Sequence, residues 1–540
     1  MKRFLVLAIL LPACISAVAQ KENYNWTFGN YAGLTWNTTQ SYPAVDIFGI
    51  SGGDITLSDV PTSFEAAINT QEGCFSVSSD DGDLLFYSDG RTIWNSNHQV
   101  MPNGTGLTGN ASSTQSGIII PRPGHGGQYI AVTLGIEQSN KMAYSIIDMS
   151  LDGGLGDVVD SRKDILFTGQ SGHLGESVTA VRHSNKSDFW IIAVGRTSAN
   201  TWLNVWLVDK DSVHTVARSA STVALNKIAG QYMTGYLAFN KSGTAFWYNS
   251  WSPPSGNSAF YAFGTFDPAT GTFSQVKIRE NGDTSIATRA LYGAAFSSSG
   301  QYVYTTIING SEGASGESTL NVYDFNALMA AATPTSVAPL KTLVSPSSST
   351  AVQDGTNNHF GAVGRGPGNR IYIADAFGKG LFVIPDPDDD PTNLKIYKLE
   401  NILTYSTVGS GGWGLPSSTG FYFNVALRQP PPHIPVCVGK DTDFKLSISG
   451  GEGGDDFSKV VIHWGDGTPD TTVNSPLVNS IYDVSHTYRH RNTYTIEVHC
   501  FDASNNEITA LYSEQSVKVN SGKLIANPNI RGTLVNNSRE

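Results

Sequence analysis

Residues 72–89 read EGCFSVSSDDGDLLFYSD, and the order of residue types within them decides the fold. Phe75 to Val77 is a short apolar run. Ser79 to Asp83 is polar and carries Gly82, and Leu84 to Tyr87 returns as an apolar and aromatic run. Apolar segments of strand length on either side of a Gly-containing polar turn are hairpin chemistry. The same order recurs. Ser116 opens SGIIIPRPGHGGQYIAV, Glu176 opens ESVTAVRHSNKSDFWIIAV, and Thr234 opens TGYLAFNKSGTAFWYNS. Tyr292 then opens YGAAFSSSGQYVYTTI, and Phe360 opens FGAVGRGPGNRIYIAD.

The small second residues of these units, at positions 73, 117, 177, 235, 293 and 361, are spaced by about 44 to 68 residues. That period suits one four-stranded blade per unit with loops of unequal length, so the array reads as a β-propeller. Gly412-Trp413-Gly414 followed by LPSSTGFYFN supplies a shorter seventh unit. The stretch NWTFGNYAGLTWN, Asn25 to Asn37, stands as a lone strand pattern. A ring of sheets must close or leave open edges, so this N-terminal strand is expected to complete the last blade. The expectation is an all-β chain with a seven-bladed propeller over residues 20–428, six or eight blades remaining open. Asp324 to Ala332 is the best helical segment.

The chain has 540 residues, 40% of them hydrophobic and 15% charged, with 56 Gly and 24 Pro. Low charge, many glycines and many aromatics exclude a coiled coil and a charge-rich disordered chain. The formal charge is −12 and no cluster of basic residues occurs, which excludes a nucleic-acid partner, since phosphate binding needs concentrated positive charge. Met1 to Ala19 has the form of a secretory signal: Lys2 and Arg3, the apolar core Phe4 to Leu11, and Ala17-Val18-Ala19 before the cut. A lipoprotein signal on Cys14 is the alternative. No later apolar run reaches the ~18 residues of a membrane helix, so no transmembrane segment is expected after signal removal. The expected location is outside the cytoplasm: extracellular, cell-surface or periplasmic.

Gln429 to Pro432 reads as a stiff linker, giving residues 429–435 as linker, 436–520 as a second domain and 521–540 as a polar tail. Short strands at Val436 to Ser449, Lys459 to Trp464, Tyr494 to Phe501 and Glu514 to Val519 fit a β-sandwich. Cys437 opens its first strand and Cys500 lies on a late one, so these two are expected to form a disulfide worth roughly 3–4 kcal/mol. Cys74 is expected to remain a buried thiol.

Within the second domain, Trp464-Gly465-Asp466-Gly467-Thr468, then His486-Thr487-Tyr488, then YTIEVHC from Tyr494 resemble the polycystic-kidney-disease (PKD) repeat, an immunoglobulin-like sandwich. The chain carries Asn492 and Thr493 where that family has Gly. The resemblance implies a core role for Trp464 and a tight turn at Asp466-Gly467. Residues 72–117 are similar to the N-terminal portion of secreted and surface proteins of the Bacteroidota, which join a propeller-like region to PKD repeats. Many of those end in a type IX sorting domain, and no such domain is evident after Val519. The resemblance implies no biochemical activity.

Catalytic signatures are sparse: His-Glu-x-x-His, a P-loop and Gly-x-Ser-x-Gly are all absent. Ser78-x-Asp80-x-Gly82 is half of an Asp-box, which is a turn device. Arg122, Arg182, Arg196, Arg289 and Arg365 lie in separate units. The first residue of each unit, Glu72, Ser116, Glu176, Thr234, Tyr292 and Phe360, is expected at the mouth of the channel. There the two carboxylates can serve a polar ligand or act as acid and base. His98, His173 and His359 also stand near the unit starts, with no metal spacing among them. No cofactor is expected, with calcium at the acidic run Asp386 to Asp390 as the one exception to examine. Trp202, Trp206, Trp247, Trp251 and Trp413 are candidates for stacking on sugars or for packing between blades. The leading function is binding or adhesion toward an extracellular glycan or protein, with the PKD-like domain as spacer or second contact. The alternatives are a carbohydrate-active hydrolase or lyase using the channel carboxylates, and a structural subunit of an envelope assembly.

Overall fold

The computed structural model describes residues 21–79, 81–136, 139–229, 233–250, 259–280, 289–309, 318–345, 358–404, 411–417, 424–428, 436–449, 457–477, 480–508 and 513–521. The signal segment with Cys14, Asp80, Trp251, the linker 429–435 and the tail from 522 lie outside the described residues.

Seven antiparallel sheets follow one another along the chain. They run from Asn25 to Asn69, Phe75 to Thr105, Gly117 to Leu166, His173 to Ala224, Leu237 to Glu280, Arg289 to Val344, and Phe360 to Leu399. The first has three strands, the third five, and the others four.

Alternation along each strand shows how the sheets stack. Ile118 and Ile120 of the third sheet join an apolar cluster with Val178, Ala180 and Ile191 of the fourth. Ile119, between them, joins Phe75 and Phe86 of the second. Ile192 and Val194 turn the other way, toward Phe246 and Phe260 of the fifth sheet. The third and fourth sheets are therefore buried on both faces. The strand Phe189–Arg196 accordingly is FWIIAVGR, buried at every position but the last. The sequence builds it from consecutive apolar residues for that reason. Tyr304 and Val322 of the sixth sheet pack with Ile371 and Ile373 of the seventh.

The stack returns on itself. Trp26 and Trp36 of the first sheet meet Tyr372 of the seventh edge-on, with ring centroids 5.7 and 5.5 Å apart. Val45 and Lys398 exchange two backbone hydrogen bonds of 2.9 Å between the same two sheets. Residues 411–417 take no strand form, yet they lie inside this seam. Trp413 N donates to Gln71 O at 2.6 Å, Ala362 N donates to Trp413 O at 2.8 Å, and Ser417 N donates to Cys74 O at 2.8 Å. The architecture is all-β and propeller-like, as the hairpin period implies.

The N-terminal strand lies beside the Gly412-Trp413 unit, the last of the repeats, with Phe28 against Gly411. It pairs with Asn30–Ala44, which pairs with Ile55–Asn69, in a sheet of its own. The Gly412-Trp413 unit makes no hairpin within the described residues and serves as the wedge beside that sheet. Helix Phe325–Ala330 matches the expected helical segment, with Asp324 Oδ1 accepting from Ala327 N at 2.8 Å as its cap.

The second domain pairs Asn424–Arg428, Asp441–Ser449 and Ser480–Thr487 in one sheet. The other sheet orders Thr471–Asn474, Phe457–His463, Thr493–Asp502 and Ser513–Lys518. Asn424–Arg428 pairs with Lys445 to Ser449, so the sandwich begins before the proline run rather than after it. Here burial alternates: within TYTIEVHCFD, Tyr494, Ile496, Val498 and Cys500 point inward, because only one face of each sheet meets the other.

Cys437 and Cys500 are unbridged, contrary to expectation. Cys437 precedes the first inner strand and forms a backbone bridge with Asn520. Cys500 faces the core of the opposite sheet, opposite Val460. Burial, then Glu507, push its thiol up to about 12. The sandwich is docked on the ring: Gly126 N donates to Glu514 O at 3.1 Å, and Glu514 N donates to Gly124 O at 3.2 Å. The edge strand Ser513–Lys518 thereby extends onto the first turn of the third sheet.

The seam contains one buried ion pair. Lys398 Nζ lies 2.8 Å from Asp375 Oδ2, with side chains 7% and 1% exposed, and 2.5 Å from Asn358 Oδ1. Burial raises the Asp375 carboxyl and Lys398 pulls it back, leaving it raised, at about 6. The native state thus holds an extra proton between about pH 4 and pH 6, and this group's share of stability falls as pH rises through that window. Lys398→Met is expected to lower the unfolding free energy by roughly 3–5 kcal/mol at neutral pH by stranding a buried carboxylate. Asp375→Asn added to it should restore most of the loss. Urea unfolding of the two variants beside the parent checks this.

Candidate functional site

Of the first residues of the units, Glu72, Glu176 and Tyr292 come together at one end of the inner strands, and all six are buried. Glu72 is 8% and Glu176 5% exposed, and Ser116, Thr234, Tyr292 and Phe360 are buried as well. They do not line an open mouth, because where the inner strands converge their side chains fill the space between them. Tyr292 OH donates to Glu72 Oε1 at 3.4 Å, and Ser112 Oγ donates to Glu72 Oε2 at 3.5 Å. Thr114 donates to Glu176 Oε2 through both its backbone N, at 3.3 Å, and its hydroxyl, at 3.4 Å. That hydroxyl in turn accepts from Gly235 N at 3.4 Å. Each carboxylate therefore ties an inner strand to a different sheet.

Aromatic rings close the same end. Tyr236 and Tyr292 meet edge-on at 5.7 Å, Tyr292 meets Trp413 at 6.2 Å, and Trp413 meets Phe377 at 5.4 Å. Burial first, then Glu72 and the neighbouring groups, drive the Tyr292 phenol well above its ordinary value, so it stays a neutral donor. Phe360 is not part of this group. It packs between sheets, 4.8 Å from Phe382 and 5.8 Å from Phe48. Ser116 Oγ and Thr234 Oγ1 are buried and make no hydrogen bond within the described residues.

The other sequence candidates separate. His98 Nδ1 lies 3.0 Å from Tyr87 OH and its ring stacks on Phe64. His359 is buried beside the Asp375 seam, with burial lowering its pKa, and His173 is exposed. In the acidic run, Asp388 Oδ1 accepts from Ser299 N and Oγ at 2.9 and 2.6 Å, and Asp390 accepts from Thr392 N at 2.9 Å. These carboxylates are spent on turns and point to different partners. Trp206, Trp247 and Trp413 are buried packing residues and Trp202 is half-buried, which leaves none of these four as an open sugar platform.

The PKD-like residues form one connected unit. Trp464 is buried and stacks on His486 at 4.4 Å. His486 Nε2 lies 2.9 Å from Asp466 Oδ2, and Thr468 N and Oγ1 donate to Asp466 Oδ1 at 3.1 and 2.5 Å. Burial alone would raise Asp466, but the hydrogen bonds from Thr468 and His486 outweigh it and hold the carboxyl below its ordinary value. Gly465 has φ +74°, and a Cβ there would collide with the Thr495 carbonyl, so the turn requires glycine. Tyr488 OH donates to Trp464 O at 3.4 Å. All of these roles are structural.

An open recess lies at the opposite end of the inner strands, where the first turns of the fifth and sixth sheets meet. It measures about 530 Å³. Asn240, Thr244, Ser299, Gln301 and Asn326 form its walls, and Ala245, Phe266 and Phe325 its floor. None of its lining side chains is ionisable. Asn240 Oδ1 is occupied by Thr244 N and Ala245 N at 2.9 and 3.0 Å, so it shapes the turn. Gln301 Nε2 reaches Asp324 at a long 3.4 Å, and Asn326 is exposed. The sequence reading missed this recess, since its residues come from two turns and a helix start that only the ring brings together.

The class defined by this arrangement is an all-β protein joining a propeller-like ring to a PKD-like sandwich. No family model and no curated protein matches the chain. Among solved structures, 18% of the chain is similar to 92% of the PKD domain of an M14-like peptidase from a Thermoplasmatales archaeon, at 19% identity and a TM-score of 0.14. Prolyl oligopeptidase B from Galerina marginata matches over 76% of this chain and 52% of its own, at 11% identity and TM-score 0.28; the chain spans about half of that enzyme. The β-propeller domain of Nup133 from Vanderwaltozyma polyspora matches over 62% of this chain and 93% of its own, at 10% and 0.27. At these levels the architecture rests on the strand pairing itself.

Tyr292→Phe is expected to destabilise the protein by about 1–3 kcal/mol, because it removes a donor to a buried carboxylate. Thermal melting of this variant beside the parent checks the axial role. A melting temperature equal to the parent's would contradict it.

Proposed function

We propose that the protein is an exported binding protein whose ring recognises a neutral, hydroxyl-rich ligand, a glycan being the leading class, with the sandwich held against the ring as a second contact. The observation carrying this reading is the recess with carboxamide and hydroxyl walls and no ionisable lining group. Carboxamides donate and accept at once, which matches sugar hydroxyls. Concave sites with few convergent polar groups are where small ligands bind. The engagement of Glu72 and Glu176 in hydrogen bonds that join sheets favours binding over the hydrolase or lyase reading, which asks those carboxylates to meet a substrate. The signal-like start Met1 to Ala19 and the resemblance of residues 72–117 to secreted and surface proteins of the Bacteroidota support export.

A neutral-oligosaccharide array followed by titration of the best ligand tests the reading. Gln301→Ala with Asn326→Ala is expected to weaken binding roughly tenfold or more, about 1–2 kcal/mol for lost hydrogen bonds, with the melting temperature unchanged. Binding that survives both changes would move the site elsewhere. Turnover of a glycoside that falls with Glu72→Gln or Glu176→Gln would favour the enzyme.

A further inference from the structure

The outer face of the sandwich carries a group of side chains that the binding reading leaves unused. In the register of strands Phe457–His463 and Thr493–Asp502, His463 stands directly opposite Glu497. His499, two residues further along, points to the same face. Directly opposite residues bring their Cβ atoms within about 5 Å, and diagonal ones remain within reach. The two imidazoles meet at 4.7 Å between ring centroids. His499 Nε2 lies 3.5 Å from Glu497 Oε2. Two ligands of one tetrahedral Zn²⁺, with bonds of about 2.0–2.1 Å, stand roughly 3.3 Å apart, so this spacing is already that of a shared ion.

The other ring nitrogens are held by carboxylates. His463 Nδ1 lies 2.6 Å from Asp470 Oδ1, and His499 Nδ1 lies 2.5 Å from Glu507 Oε1. A carboxylate on the far nitrogen fixes the tautomer that presents Nε2 and raises its basicity, the support that metal-bound histidines have. Glu514, in register opposite Glu497, adds negative charge to the face. Lys459, on the same face of its strand, is drawn away to Asn505 and the Phe501 ring, and His125 stands 3.9 Å from Glu514 on its far side.

We propose that His463, Glu497 and His499 form a binding site for a divalent metal of the imidazole-preferring class, Zn²⁺ above all, with Asp470 and Glu507 as positioning residues. Among the described residues no three such groups already surround one point. Closing the site takes a rotation of the Glu497 side chain, 43% exposed, and a joint shift of His463 with Asp470, 40% and 42% exposed, that keeps their contact. Two imidazoles and one carboxylate leave a coordination position for water or a ligand atom. Ca²⁺ and Mg²⁺ are disfavoured, since they take oxygen ligands.

Calorimetric titration of the metal-stripped full chain with Zn²⁺ near neutral pH tests this. About one Zn²⁺ per chain is expected, uncompeted by excess Ca²⁺ or Mg²⁺. His463→Ala with His499→Ala should abolish that binding. Glu507→Gln should weaken it roughly 10- to 100-fold with the stoichiometry kept. Co²⁺ added to the unaltered chain should give the intense visible absorption of a low-symmetry four-coordinate site, a readout that needs no variant to fold. Absence of Zn²⁺ binding, a weak octahedral Co²⁺ spectrum, or unchanged binding in the double variant would each overturn the site.

Discussion

The structure depends on the seam where the last sheet meets the first. Sheets packed face to face against their neighbours cannot stop at a seventh, because its outer face would expose an apolar surface and leave the first sheet's aromatic face uncovered. Trp26, Trp36 and Tyr372 fill that junction. Residues 411–417 run through it, bonded to Gln71 and Cys74 on one side and Ala362 on the other. Lys398 links the first and seventh sheets through its backbone and holds Asp375 with its side chain. Segments more than 300 residues apart in sequence thus share one packing unit.

Closing the ring dictates what the axis can do. The inner strands meet where Glu72, Glu176, Tyr236, Tyr292 and Trp413 pack together, so groups that look like a ligand-binding circle in the sequence become the cross-links of the ring. The Glu72 and Glu176 carboxylates are satisfied there by Tyr292, Ser112 and Thr114, while Ser116 Oγ and Thr234 Oγ1 make no hydrogen bond within the described residues. The free surface chemistry lies elsewhere: in the recess between the turns of the fifth and sixth sheets, and on the outer face of the sandwich. The contact between Glu514 and the Gly124–Gly126 turn makes the sandwich a docked neighbour of the ring through an edge strand, the part of a sheet with unpaired backbone groups to offer.

The hairpins were legible because their signal is local: a short apolar run, a polar turn with glycine and an aromatic return all fall within about twenty residues. The PKD-like turn was legible for the same reason. The first sheet was not, since residues 37–39 of Asn30–Ala44 are exposed in a row and break its alternation, although it pairs with Ile55–Asn69 on both sides of that break. The expected Cys437–Cys500 bridge failed on a long-range fact: Cys437 stands outside the strands and bridges Asn520, while Cys500 lies in the core opposite Val460. Burial of the axial residues was equally illegible, because a strand's first residue carries no local sign of whether the ring narrows around it. The His463, Glu497 and His499 group is hidden in the same way. Glu497-x-His499 is visible in one strand, but His463 joins it only through the register of another.

Residues 411–417 close the ring by running between Ala362 of the last sheet and Gln71 to Cys74 at the entry to the second, beside the first. Gly414 is the sensitive point, because a Cβ there would collide with the Glu72 carbonyl. Hydrogen exchange on Gly414→Ala beside the parent tests the claim most directly. A loss of about 1–3 kcal/mol from overpacking is expected, with protection falling together in Asn25–Phe28 and in Phe360–Arg365, which flank the wedge. Unchanged protection in both strands, or loss confined to residues 411–417 alone, would contradict it.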